Sequence, residues 1–313
     1  MAGNAEQLEL PLIDLSSPDR ACSAKSIRKA CVDHGFFYLV NHGIEESVLQ
    51  LVFQDSKKFF SLPLDEKMKL GYKDHRGYTP MFAETLDPSS KIKGDFKEGF
   101  YIGPAKFSAS QVDANQWPSE DVLPCWRATM ESYYEQMLAV GKSLISLIAL
   151  ALDLDDLFFE KIGALYQPMA FIRLLHYPGE TIEDNNGRLG ASAHSDYGMV
   201  TLLVTDGVPG LQICRDKDRQ PHLWENVPHV NGALVVNVGD LLERWTNCLF
   251  RSTLHRVLPP GQERYSVAFF IDPNSDCLVE CLETCCSEKN PPRFPAIRSG
   301  DHLQARIKAS YDL

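Results

Sequence analysis

AHSDYGMVTLLVT, residues 193–205, opens on two potential metal ligands, His194 and Asp196, and runs on into an apolar, β-branched segment that reads as a strand. Residues two apart on an extended chain point the same way, so this pair can grip one ion together. A third donor has to arrive from a strand laid alongside. His255, in STLHRV at 252–257, follows Asp196 after 58 intervening residues, enough for several strands and turns. Two imidazoles and one carboxylate fill one face of an octahedral metal and leave the other open, the ligand set expected of a non-haem iron(II) centre.

The same two-residue logic extends outward. Arg264 and Ser266 lie two apart in RYSVAFFI (264–271) and should point together into the cavity that holds the metal. MAFIRLLHY, MVTLLVT, LQI, HLWENV, ALVVNV and YSVAFFI are short strand-like runs separated by PG, DG and PPG turns. They predict a mainly β fold with flanking helices, a barrel or double-layered jelly roll on which a helical and strand N-terminal region packs. Upstream, LPLIDL (10–15) and FFYLV (36–40) read as strands. Helices are expected over about 18–34, ended by Gly35, and about 45–60. Residues 71–120 are irregular and rich in glycine, proline and charge, a place for a substrate-contacting loop. From about 124 to 152 a helical pattern carries Met130, Tyr133, Tyr134, Met137, Leu144, Ile145, Ile148 and Leu152 on an apolar face able to back a sheet. PPRFPAIR reads as extended, and DHLQARIKASY as a final helix with Asp301 near its cap. One structural domain is expected, divided into an N-terminal region (1–120), a long backing helix (121–165), a jelly-roll core (166–275) and a C-terminal extension with a helix (276–313).

Composition narrows the function. The 313 residues are 44% hydrophobic, yet no uninterrupted apolar run reaches 18 residues, so no membrane span is expected. MAGNAEQLEL lacks the features of a secretory signal, and a soluble, cytoplasmic protein and a monomer are expected. A net charge of -11 argues against a nucleic-acid partner. The nine cysteines should be reduced thiols. Cys277, Cys281, Cys285 and Cys286, in DCLVECLETCC, read as a strand edge rather than a zinc site.

LPLIDLS, HGFFYLVNHGI (34–44), LLHYPG (174–179), the metal triad, GALVVNVGD (232–240), RSTLHRV (251–257) and RYS (264–266) occur in that order. On these motifs the chain resembles, over nearly its whole length, the iron(II)- and 2-oxoglutarate-dependent dioxygenases of the isopenicillin N synthase-like branch. The resemblance implies a double-stranded β-helix core and iron(II) on His194, Asp196 and His255. It implies 2-oxoglutarate as a two-point chelate on the metal, O2 as the co-oxidant and ascorbate as a reductant. Arg264 and Ser266 would meet the far carboxylate of the cosubstrate, with Tyr177 of HYPG touching it as well. The reaction implied is hydroxylation, demethylation or desaturation of a small organic molecule, with release of succinate and CO2.

Two positions depart from the pattern. Leu175 stands where the family usually has asparagine, so a hydrogen bond to the cosubstrate is missing or comes from elsewhere; His176 replaces a common tyrosine and should face away from Tyr177. The arginine-x-serine pair also occurs in relatives that do not use 2-oxoglutarate. An iron-dependent oxidase of the same fold and a non-catalytic small-ligand barrel therefore stand as alternatives. Phe270, four residues after Ser266, is expected to line the substrate pocket, with Phe269 adding apolar wall and Trp245 and Asn247 as further contacts. His34 and His42 read as structural, Asn41–Gly43 as a tight turn, and Asn237, Gly239 and Asp240 as turn chemistry. The substrate should be neutral or weakly charged and partly apolar, a specialised metabolite, a hormone-like acid or a small nitrogen heterocycle.

Overall fold

The computed structural model describes residues 9–87, 94–104, 113–179, 188–214 and 216–311. The first third mixes short strands and helices: β1 (Leu12–Asp14), α1 (Arg20–Asp33), β2 (Phe36–Val40), α2 (Glu46–Phe60), α3 (Leu64–Met68), β3 (Gly77–Thr79) and β4 (Glu98–Ile102). Two helices follow, the long α4 (Trp126–Ala151) and the one-turn α5 (Phe158–Lys161). The remainder is mostly strand: β5 (Met169–Tyr177), β6 (Ala191–His194), β7 (Val200–Thr205), β8 (Leu211–Cys214), β9 (Trp224–Asn226) and β10 (Leu234–Val238). The short α6 (Asp240–Trp245) then leads to β11 (His255–Val257) and β12 (Arg264–Asp272). Last come β13 (Leu278–Val279), β14 (Ile297–Arg298) and α7 (Ser299–Tyr311).

Eight strands form one sheet in the order β1-β2-β10-β7-β12-β5-β4-β3, and four form a second, β6-β11-β8-β9. Among the described strands only the β1–β2 pair is parallel. Among the described residues no strand of one sheet pairs with a strand of the other, so the two layers make an open sandwich rather than a closed barrel.

Period-two alternation decides what each strand offers to which side. On β12, Tyr265, Val267, Phe269 and Ile271 join the large core cluster that includes α4 residues Met130, Tyr133 and Met137. Arg264, Ser266, Ala268 and Phe270 face the opposite way, into a cavity between the sheets. The neighbouring β5 follows suit: Ile172 and Leu174 pack on the helix side, while Arg173, Leu175 and Tyr177 line the cavity. Phe269 therefore belongs to the helix-side core, edge-on to Tyr134, and not to the pocket wall that its neighbour Phe270 supplies. Side chains of both sheets, among them Phe36, Leu175 and Val235 from one and Leu211, Ile213 and Val257 from the other, close a second apolar cluster around the cavity.

Local chemistry fixes the frame. The Asp19 side chain accepts from the Cys22 N–H and caps α1. Gly35 ends that helix at φ +68°, where a β-carbon would run into the Arg251 carbonyl, so a residue without one is required. The tight turn expected at Asn41–Gly43 has φ of 52° and 82° at its two ends, and His42 is held by Gly232 O and the Ile44 N–H, a structural role. The cysteine-rich stretch departs from expectation. Its strand stops at Val279, and Glu283–Cys285 is a 3-10 turn, because Leu282 and Cys285 bury against the core and pull the chain off the sheet.

Candidate metal and cosubstrate site

β6 delivers His194 at its last residue, and β11 opens on His255; the two are direct partners in an antiparallel ladder. Asp196 lies just beyond the end of β6 rather than on it, so the chain turns to bring the carboxylate round instead of relying on strand alternation. One oxygen of Asp196, Oδ1, sits 3.8 Å from His194 Nε2 and 3.6 Å from His255 Nε2. Among the described residues these three are the only histidine, cysteine or carboxylate group clustered tightly enough to hold an ion.

Every other polar atom of the triad is already engaged. The Nδ1–H of His194 donates to Ser192 O at 2.7 Å, and that of His255 to Thr253 O at 3.1 Å, which leaves both Nε2 lone pairs aimed inward. The second oxygen of Asp196 accepts from Thr201 Oγ1 and Asn237 Nδ2, each at 2.6 Å. Asn237 is thus a support for a ligand and not the turn residue its sequence setting suggested. Burial and the neighbouring His255 depress the His194 imidazole to about 4, so it is neutral at physiological pH. Burial raises the Asp196 carboxyl, but the two histidines and its hydrogen-bond donors outweigh that and hold it below the usual range. Two donors on one ion at about 2.1 Å cannot be more than about 4.2 Å apart. The two carboxylate–imidazole spacings meet that limit, and the neutral His194 and ionised Asp196 are the forms a divalent cation needs.

Two chambers meet at His194 and Asp196. The first is lined by Arg264, Ser266, Tyr177, His255, Leu175 and Lys97. Arg264 is 1% exposed; its Nε donates to Val208 O at 3.1 Å and its Nη1 to Ser266 Oγ at 3.3 Å, with the guanidinium over the Tyr177 ring. Leu175, directly across the ladder from Ser266, makes that stretch of wall apolar. The second chamber is lined by Phe270, Phe171, Tyr101 and Tyr197, and by Leu303 and Ile307 of α7. Phe270 borders both.

Trp245 and Asn247 lie elsewhere. Trp245 packs edge-on against Phe159 in the helix-side core. Asn247 turns to the C-terminal extension, donating to Pro291 O and accepting from the Arg293 N–H. The helix α6 between β10 and β11 rotates both away from the cavity, so nearness to His255 in sequence does not bring them near it in space. His176 does face away from Tyr177, with its two ring nitrogens on Glu98 and Glu263.

Several lining residues had no motif to mark them. Glu84, Lys97 and Arg173 are buried cavity residues drawn from β5 and the chain leading into β4. Arg173 and Asn237 do leave a trace, as polar residues inside the apolar runs MAFIRLLHY and ALVVNV. Asp272 is another: burial, with Asp196 nearby, pushes its carboxyl up to about 7 while the Met199 N–H holds one oxygen at 2.7 Å. A raised carboxyl favours the protonated form in the folded state, so its contribution to stability is full at low pH and is lost as pH climbs from about 4 through 7. Asp272→Asn removes that titration. In urea unfolding of iron-free protein the variant should gain about 1 kcal/mol on the wild type between pH 6 and pH 8; a constant difference would contradict the assignment.

The comparisons with known proteins agree with this geometry. Residues 10–120 match the model described as non-haem dioxygenase in morphine synthesis N-terminal, and residues 168–273 that of the 2OG-Fe(II) oxygenase superfamily. The chain is 42% identical to the Kihadalactone A synthase of Citrus sinensis, over 96% of this chain and 91% of that one. It is 34% identical to a 2-oxoglutarate-Fe(II) type oxidoreductase of Emericella nidulans, over 96% and 90%. The crystal structure of a full-length Neurospora crassa protein in complex with alpha-KG and thymine superposes with a TM-score of 0.86 at 30% identity, covering 98% of each chain. Fold and site together define a non-haem iron oxygenase. The chain belongs to the 2OG-Fe(II) oxygenases, and it is an enzyme that uses iron(II) and 2-oxoglutarate to oxidise a small molecule. No helix among the described residues is long and apolar enough to cross a membrane.

Proposed function

We propose that His194, Asp196 and His255 hold the iron, that Arg264, Ser266 and Tyr177 receive the far carboxylate of 2-oxoglutarate, and that the substrate occupies the chamber closed by α7. The observation that carries this is the triad itself: three donors converge on one point while all their remaining polar atoms are satisfied elsewhere. When bound, iron(II) with 2-oxoglutarate and O2 supplies an oxidant able to take hydrogen from a substrate C–H bond, the cosubstrate leaving as succinate and CO2.

The chain's own part is positioning. Arg264 can spread two N–H donors toward a carboxylate because Val208 O and Ser266 Oγ fix its plane. Leu175, Leu211 and Val257 keep water from the cosubstrate side. With Leu175 unable to donate, the buried Lys97 ammonium, which also donates to Asp95, stands as a further cationic donor on the same wall. Phe270 stands between the chambers and sets how closely a substrate approaches the metal. The substrate is a small, largely uncharged molecule with an apolar body, hydroxylated, demethylated or desaturated there. We place the enzyme in the cytoplasm as a monomer, with ascorbate keeping the iron reduced; the net charge of -11 supports a partner other than nucleic acid.

Coupling tests this reading. With iron(II), O2 and 2-oxoglutarate alone, succinate should form slowly, and one fraction of a metabolite extract should accelerate it sharply. Succinate formed equally fast with nothing added would contradict a separate substrate chamber.

A further inference from the structure

Four charged side chains with almost no access to solvent stand together beside the two chambers: Glu84 at 5% exposure and Arg173 at 6% on the α7 chamber, Lys97 at 4% on the cosubstrate side, and Asp95 at 2%, bonded to Lys97. They form one chain of contacts. Glu84 Oε2 accepts from Arg173 Nη2 at 2.5 Å and lies 3.0 Å from Lys97 Nζ, which donates to Asp95 Oδ2 at 2.7 Å. Asp95 ends the chain by accepting from the N–H and hydroxyl of Ser192, two residues before His194. The charges sum to zero. Burial raises the Glu84 carboxyl, but Arg173 and Lys97 outweigh it and keep the group ionised. Burying ions costs several kcal/mol each, and apolar residues of similar size would serve stability as well or better. Here two members of the chain, Glu84 and Arg173, face a cavity that is also lined by the apolar Phe171, Phe270, Leu303 and Ile307, with His75 and Asp272 among its polar residues.

We propose that the Glu84–Arg173 pair reads the substrate: it is built for a neutral molecule with a hydrogen-bond donor and acceptor on adjacent atoms, as on a lactam, imide or amide edge, carried on an otherwise apolar frame. This rests on the assignment of the α7 chamber to the substrate. The carboxylate of Glu84 accepts from the ligand N–H while the guanidinium of Arg173, held over the Tyr101 ring, donates to its carbonyl. A free carboxylate finds no such match, because what it gains from Arg173 it loses against Glu84 in the same low-dielectric wall. An apolar ligand without the polar edge lies against this charged wall and returns no hydrogen bond to it, a mismatch that a site built for polar groups rejects strongly.

The test uses protein loaded anaerobically with iron(II) and 2-oxoglutarate, so that nothing turns over, and calorimetric titration with two planar six-membered rings, 2-pyridone and benzoate. The wild type should bind 2-pyridone roughly tenfold or more tighter than benzoate, the scale set by one buried polar group left unsatisfied. Replacing the pair together, Glu84→Met with Arg173→Met, leaves the Lys97–Asp95 contact intact and should remove that preference while 2-oxoglutarate still binds. Benzoate binding as well as 2-pyridone, neither ring binding the loaded wild type, or an unchanged preference in the double variant would each overturn the inference with the cosubstrate site untouched. If the double variant does not load 2-oxoglutarate, the wild-type preference decides alone. A wild type that takes up no 2-oxoglutarate would sink the site assignment and this inference with it.

Discussion

Asp196→Ala should yield a folded protein that retains no iron and shows no measurable succinate formation. Asp196 supplies the single negative charge of the triad, and two imidazoles alone hold a divalent ion weakly. The loss reaches further than one ligand. Thr201 Oγ1 and Asn237 Nδ2, both buried, lose their common acceptor, at a cost of about 1–3 kcal/mol of stability. The fold should survive, since no strand pairing depends on this side chain. His194→Ala and His255→Ala should behave alike in metal analysis and turnover, whereas His42→Ala should keep its iron, because the His42 ring is bonded to Gly232 and Ile44, away from the triad. Near-normal activity in any of the three ligand variants would show the iron to lie elsewhere.

The second large effect is expected at Arg264. Arg264→Lys keeps a charge but loses the planar fork that Val208 and Ser266 hold in place, so the KM for 2-oxoglutarate should rise more than kcat falls. Arg264→Ala should cost about 2–5 kcal/mol in cosubstrate binding, the scale of removing one partner from a desolvated charge pair. Steady-state rates as a function of 2-oxoglutarate distinguish the two variants. An unchanged cosubstrate dependence in both would mean that this arginine serves the primary substrate instead.

What could be read from the sequence and what could not divides along a physical line. Alternation on a strand is a local rule, so RYSVAFFI already sorts Arg264, Ser266 and Phe270 to one face, and β12 shows that sorting. Phe269 fails by the same rule, which assigns it to the helix-side core. The antiparallel pairing of His194 with His255 needed a strand of the right register, and 58 residues of strand and turn signals made that readable. Position in the chain misled where a helix intervened: α6 carries Trp245 and Asn247 away from the ligand they precede. The charged wall was out of reach altogether. Glu84 and Arg173 are 89 residues apart and meet because the chain before β4 folds back over β5, a contact that no local pattern specifies. Leu303 and Ile307 likewise show as an apolar stripe on α7, but the cavity they close becomes known only once the chain is folded.

Anomalous diffraction at the iron edge, from crystals of the protein with iron(II) and 2-oxoglutarate grown without oxygen, locates the metal outright. One strong peak is expected within about 2.0–2.3 Å of His194 Nε2, His255 Nε2 and Asp196 Oδ1, with the far carboxylate of the cosubstrate on Arg264. A peak away from that triad, or a cosubstrate whose far carboxylate lies on the Arg173 side of Phe270, would contradict the assignment.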